Sequence, residues 1–477
     1  MEEEGASDQS HGNILPEFVQ NLSLNLKKKY EVYHQIDSLQ SAQSLDRIFS
    51  VVIPEYAKDI VELESKKNQL MHAFQQMINY IESTSDVSNF FSTDEIPEKK
   101  IQYRIEPKSL DNLVIAAVDG SFVRKCYTNF EFSLFRAISE VYSFSDLGVD
   151  ISYYPVENGI KNYRLTRILN NITDQITTSQ VSIDRAFMEI TLANDFITKP
   201  KKHIDMVILD GSILTEPLNL LSDIPQSGEL IASYSKLIKE YKKLYKMCDL
   251  QKIDLVGVVK DTRSSTFRKL LSRRIPQIIA KLNDTNLMQL DYCKLMEYFS
   301  DLDLFHRTLD IGERSCAFSI SSSGNSWIPR QLEILNSGSS IDHRSLANYW
   351  FFACYMKPVP FDYPIRVEFH LNKDNFDPEF IHTKIQRMCE ILYPLCSKFP
   401  DFAVPIPQIE AHLRTKLSKN DMHMVIQFLT KQINEELRNY SKNVIFNNQE
   451  VQYTDKFDDF LIKNNFLVPK RRERMPL

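Results

Sequence analysis

The segments AAVDGSFV (116–123) and MVILDGSI (206–213) each carry an apolar run straight into Asp-Gly-Ser, at Asp119 and Asp210, 91 positions apart (210 minus 119). A single Asp-Gly is an ordinary Asx turn or cap. Two carboxylates at the ends of apolar strands, each followed by a glycine that lets backbone approach a ligand, are also half of a site for a hard cation. Such ions take oxygen ligands and keep open positions for phosphate. A third carboxylate is needed. Glu189 stands 21 residues before Asp210 (210 minus 189), in VSIDRAFMEITLANDFI, where Ile183, Phe187, Ile190 and Ala193 or Asn194 fall at helical spacing and leave the glutamate close to the edge of the buried stripe. Lys260, in GVVKDTRS, follows another apolar strand; it either pairs with Asp261 or solvent, or offers its ammonium to phosphate charge.

The elements that must position these groups follow from hydrophobic periodicity. Apolar and β-branched runs predict strands at LVIAAVD (113–119), EFSLFRAISEVYSF (131–144) and VDISYYPV (149–156), with short loops between them. A helix containing Glu189 comes next, then a strand HIDMVILD (203–210), a helix over about 226–246 and a strand IDLVGVVKD (253–261). Two strands separated by a helix are what a parallel crossover produces. Three antiparallel strands, a helix, a strand, a helix and a strand is the order of a ribonuclease H-like α/β core, a mixed sheet with flanking helices. Fold analogy alone does not give function.

Around that core the domains are expected as follows. Residues 1–13 read as a disordered acidic tail, and 14–110 as an N-terminal helical extension, helical over 16–84, with a linker over 85–110. The extension packs on the main body or on a second subunit. The main domain runs over 111–445: the core to 262, a helical insert over 265–310, and a C-terminal part with strands at ERSCAFSIS, NYWFFACYMK and PIRVEFHL, a helix over 376–398, a proline-rich turn and two closing helices. Residues 446–477 are a tail.

Composition bounds the function class. Lys plus Arg is 57 against Asp plus Glu 63, a net charge of −6, which argues against a protein coated in basic surface. A local basic channel is still available from KPKKH (199–203), the lysine-rich helix at 236–246, RKLLSRR (268–274) and KRRER (470–474), each of which reads first as a solvated face. Seven cysteines with no CxxC and no zinc-like spacing imply no disulfide framework and a cytoplasmic, reducing compartment. The start MEEEGASDQSHGN has no basic and apolar leader, and no apolar run approaches the roughly 20 residues of a spanning helix, so no membrane partner is expected.

The ordered set VIAAVDGSF, DRAFMEITLAND, MVILDGSIL, VGVVKDTRS, PIRVEF and IEAHLRTK, spread over about residues 113–440, resembles the NurA family of DNA-end-processing nucleases. The resemblance implies a ribonuclease H-like, usually homodimeric domain that uses Mn²⁺, with Mg²⁺ the alternative. It further implies 5′ to 3′ exonuclease and single-strand endonuclease activity on DNA, together with a HerA-type hexameric ATPase, in resecting double-strand breaks for recombinational repair. Carried over residue by residue, it implies that Asp119, Glu189, Asp210 and His412 hold the metal. An imidazole among carboxylates softens the site and favours Mn²⁺. The cation activates water and clamps a phosphate oxygen. Lys260 is the candidate for scissile phosphate charge; Lys260, Arg263 and Arg366 are the candidates for DNA contacts. Glu368 reads as a structural partner of one of these arginines.

One departure stands out. The family has a tyrosine eight residues before the histidine, and the position by spacing is Val404, with Tyr393 a substitute nearby. That gives the alternative reading, a catalytically weak or inactive NurA-like partner subunit that binds DNA or the translocase. A phosphatase of the haloacid dehalogenase type needs a second Asp two residues after the first; Ser121 and Ser212 stand there instead.

Overall fold

The structure, a computed structural model, describes residues 47–83, 95–128, 130–155, 163–169, 174–198, 203–214, 228–260, 262–273, 299–320, 349–372 and 377–441. The expected tails at 1–13 and 446–477, the helix over 16–46, Asp261 and the basic segment 470–474 lie outside them. Contacts divide the chain into two compact units, Met1–Lys66 with Cys126–Asn129 and Gln452–Leu477, and Lys67–Lys125 with Phe130–Val451. Every candidate site residue belongs to the second unit.

The structure is mixed α/β, with one mixed sheet and helices on both faces, as the periodicity predicts. The strands that match the expected core are β2 (Val114–Cys126), β3 (Phe130–Ser145), β4 (Gly148–Tyr154), β6 (Met206–Asp210) and β7 (Asp254–Val259). β1 is the short Gln102–Arg104 and β5 is Tyr163–Leu169. The rest are β8 (Glu313–Ser315), β9 (Phe318–Ser319), β10 (Tyr349–Lys357) and β11 (Ile365–Asn372). The spatial order is β1-β8-β10-β11-β7-β6-β2-β3-β4, with β5 on β3 and β9 on β10. β6 runs parallel to both β2 and β7, which is the expected crossover arrangement.

Both faces of the central strands are covered, which is why β2 and β6 read as unbroken apolar runs instead of alternating. Alternation survives in which layer each residue joins. Ala116, Val118, Val207 and Leu209 pack under α2 (Asp174–Thr198) and α3 (Gly228–Gln251). Ile115, Ala117, Met206 and Ile208 pack under α6 (Pro378–Cys396) and α7 (Ile406–Thr415). Beyond β11, Ala353 and Tyr355 of β10 face a third cluster with α4 (Thr266–Ser272), α5 (Asp301–Thr308) and the C-terminal half of α1 (Ile53–Ser83). There Leu70, Phe74 and Ile78 of α1 recur at helical spacing and are buried, so that part of the helical extension packs on the main body. The last helix, α8, is Lys419–Ser441.

Three differences from the sequence reading have local causes. β2 does not stop at Asp119 but runs on to Cys126, because FVRKC continues in extended pairing. β5, unexpected, pairs with the first half of β3 from Phe130↔Leu169 to Arg136↔Tyr163, since a 16-residue strand has room for two partners along one edge. β1 falls inside the expected linker and closes the far edge against β8. Six cysteines among the described residues are free thiols, all buried. No described helix is long and apolar enough to cross a membrane.

Candidate metal centre

The register delivers the two aspartates together. Val118 pairs with Leu209 in the parallel β2–β6 ladder, so Asp119 and Asp210 are level on neighbouring strands about 4.8 Å apart. They continue the Ile115, Ala117 and Met206, Ile208 parity, which places both on the α7 side of the sheet. α7 supplies the opposing groups from one face: Gln408, His412 and Thr415, at i, i+4 and i+7. Four residues of helix rise about 6 Å, close to the spacing of adjacent strands. Accordingly Gln408 donates its amide to Asp210 Oδ1 while His412 Nδ1 lies 3.0 Å from Asp119 Oδ2. The Thr415 hydroxyl is 3.1 Å from the same Asp119 oxygen, and Ser121 ties back to the Thr415 carbonyl.

Asp119, Asp210 and His412 each offer a ligand atom within 4.8 Å of one another, the geometry of a group that could hold a metal ion. Lys260 joins them, its Nζ 3.1 Å from Asp210 Oδ1. Burial, followed by the like charge of Asp210, holds the Asp119 carboxyl above its ordinary value. A buried and a half-buried acid crowded together in this way are what a divalent cation would relieve. The Gln408 carbonyl oxygen is buried with no hydrogen-bond partner, a further unspent oxygen at the site.

The two Asp-Gly-Ser strings are not equivalent. Gly211 has φ +97°, so the chain turns sharply after Asp210 through a conformation that glycine favours. Gly120 is extended inside β2 and serves packing: a Cβ there would lie 2.6 Å from Glu189 Oε1. Glu189 therefore reaches the strand from the α2 side, opposite the face of Asp119, and is not part of the 4.8 Å group. Its carboxyl is pushed up to about 8 by burial, against the pull of Arg185 and with Asp119 and Asp210 adding to the rise. Arg185 Nε lies 3.6 Å from Glu189 Oε1, one helical turn before it.

The loop after Asp210 is pinned from β11. Glu368 Oε2 accepts from Ser212 Oγ at 2.6 Å and from the Ile213 amide at 3.1 Å. Its other oxygen lies 2.6 Å from Arg366 Nη2. Arg366 is 7 % exposed, so its guanidinium is committed inside the fold, whereas Arg263 is exposed. Val404 is buried just before α7. The Tyr393 hydroxyl faces Gly312 beside Arg104, at the entry to β8, four strands from β6 or about 19 Å, and does not stand in for the family tyrosine. Sequence reasoning missed Gln408, Thr415 and Arg185. Only Arg185 left a trace, its i, i+4 spacing from Glu189.

The NurA domain family matches residues 113–396. No curated protein matches the chain. Among solved structures the chain is similar to the NurA nuclease of Sulfolobus solfataricus, at 13 % identity over 80 % of this chain and 98 % of that one, with a TM-score of 0.42. A NurA solved with manganese gives 10 %, 77 %, 97 % and 0.37 in the same order, and a NurA bound to dAMP and manganese gives 12 %, 80 %, 94 % and 0.31. With a family match spanning well over half its length, the chain belongs to the NurA domain family.

Proposed function

We propose that the protein is a Mn²⁺-dependent deoxyribonuclease, with Mg²⁺ the alternative ion, in which Asp119, Asp210 and His412 hold the metal. The observation that carries this reading is the convergence of those three side chains, from two strands and a helix far apart in sequence, within 4.8 Å. A divalent cation bound there would act as Lewis acid toward a phosphodiester and toward the attacking water. The chain's own groups do the rest. Lys260, beside Asp210, offsets charge on the scissile phosphate. Gln408 and Thr415 fix the orientation of the two aspartates, and Arg366 acts indirectly by holding Glu368 under the loop that follows Asp210. Glu189, on the other face of β2 and outside the 4.8 Å group, is the fourth donor on the strength of the family alone. Arg263 contacts the DNA backbone. The domain boundaries at 14–110 and 111–445, a homodimer, a cytoplasmic location, the 5′ to 3′ exonuclease and single-strand endonuclease activities, and end resection with a HerA-type ATPase complete the reading, on the strength of the family.

Asp119→Asn and Asp210→Asn are each expected to abolish Mn²⁺-dependent cleavage of labelled DNA while leaving far-UV circular dichroism unchanged. Wild-type cutting by either variant would reject the ligand assignment. The weak-partner alternative draws on Val404. It requires that the wild-type protein fail to cut both alone and with the ATPase.

A further inference from the structure

On the reading that the metal centre cuts nucleic acid, we propose that two hydrogen-bonded loops beside it form a stacking platform for the unpaired bases of single-stranded DNA. The first loop, 358–364, joins β10 to β11; the second, 397–405, joins α6 to α7. The Phe361 amide donates to the Pro400 carbonyl at 3.2 Å, and the Ala403 amide donates to Asp362 Oδ2 at 2.8 Å. The large apolar side chains these loops present to solvent are all aromatic: Phe361 at 77 % exposure, Phe399 at 52 %, Tyr363 at 50 % and Phe402 at 45 %.

Their place in the fold is set by the register. Arg366 pairs with Val259 and Asp210 pairs with Val258, so the start of β11 is at the same sheet end as Asp210, two strands or about 10 Å away. The second loop runs directly into α7, whose Gln408 touches Asp210. A strand with its phosphate at the metal centre therefore has its neighbouring nucleotides within reach of the rings.

Chemistry favours bases over backbone as the occupant. The loops carry one lysine, Lys398, against Asp362 and Asp401, so they offer phosphate no net attraction. Ring faces are what they have to give, and every base has a π-face to stack on them. Prolines at 358, 360, 364, 400 and 405 fix much of the loop backbone, and the Tyr363 ring is braced by His306 at 4.6 Å between centroids. Rings held in place this way lose little freedom when a base arrives.

The test is fluorescence anisotropy in EDTA, with the full chain and two probes of equal length, an oligothymidylate and an abasic oligomer. Wild-type protein is expected to prefer the oligothymidylate by about five- to a hundredfold per stacked base, by a margin that does not change with salt. Phe361→Ala with Phe402→Ala should bring the oligothymidylate down to the abasic affinity. Phe361→Leu, which keeps apolar surface without the ring, should lose most of the preference as well. Equal affinities for the two probes in the wild type would overturn the platform, as would full rescue by leucine. Unchanged preference in the double variant together with an altered sedimentation coefficient would assign the loops to a protein contact instead. Hydrolysis of bis(p-nitrophenyl) phosphate with Mn²⁺, and its loss in Asp210→Asn, reports on the metal centre alone, so a failure there rejects the nuclease reading and leaves the binding comparison to decide the platform.

Discussion

At the scale of single residues, the two acids were legible because an apolar strand that ends in a carboxylate breaks its own pattern. Glycine was harder to read. The same Asp-Gly-Ser string makes a turn at 210–212 and an extended stretch at 119–121, told apart by the positive φ of Gly211 and by the packing of Glu189 against Gly120. That packing makes Gly120→Ala informative. The added methyl must displace the Glu189 carboxylate, at a cost of about 1–3 kcal/mol, and Mn²⁺ affinity measured by calorimetry should fall with it; an alanine variant with wild-type stability and affinity would separate Glu189 from the metal. Glu189 also gives a pH signature. Its folded-state value near 8 against 4.5 unfolded means that the native state binds the proton more tightly. In metal-free protein its contribution to stability is therefore full below about pH 4.5, declines as pH rises, and is gone above about pH 8. Glu189→Gln cannot ionise, so urea unfolding in EDTA should show the variant gaining on the wild type by a few kcal/mol between pH 5 and 8. Parallel profiles would place the proton elsewhere.

At the scale of elements, the closing helix was predicted, but its use as a bridge was not. Gln408 and Thr415 look like ordinary helical polar residues until α7 is laid across the ends of β2 and β6, and no local pattern encodes that crossing. What holds α7 at its other side is Arg414, whose Nε lies 2.7 Å from the buried Glu140 and whose guanidinium stacks 4.1 Å from the Tyr153 ring. Glu140 and Tyr153 are themselves a cross-strand pair of β3 and β4. One planar side chain thus grips two strands, a geometry that lysine does not reproduce. Residues that orient metal ligands from outside typically affect metal affinity by about 10- to 100-fold. Arg414→Ala should fall in that range by titration calorimetry, with Arg414→Lys recovering only part. An alanine variant that binds Mn²⁺ as wild type does would show that His412 needs no such support.

At the scale of the whole molecule, a buried ion pair at one edge of the sheet is separated from the chemistry at its interior strands. Segment 95–105, read from sequence as linker, is fastened by Glu98. No periodicity marks an isolated acid in EIPEKK as buried, because its partner is 216 residues away in β8. Arg314 grips it with two bonds of 2.8 and 2.9 Å, and His382 Nδ1 lies 2.6 Å from the same carboxylate; the Glu98 and Arg314 side chains are both fully buried. Leaving one member of such a pair behind costs about 3–5 kcal/mol, a large share of the stability of an ordinary domain. β8 is four strands from β6, so the loss should not reach the metal centre. Glu98→Ala is expected to lower the urea midpoint and the melting temperature sharply. At a temperature where it is still folded, its Mn²⁺ affinity and cleavage rate per folded molecule should match the wild type. A variant that is stable but poor at cutting would mean instead that the far edge of the sheet communicates with the site, and that the two regions are not the independent parts their separation implies.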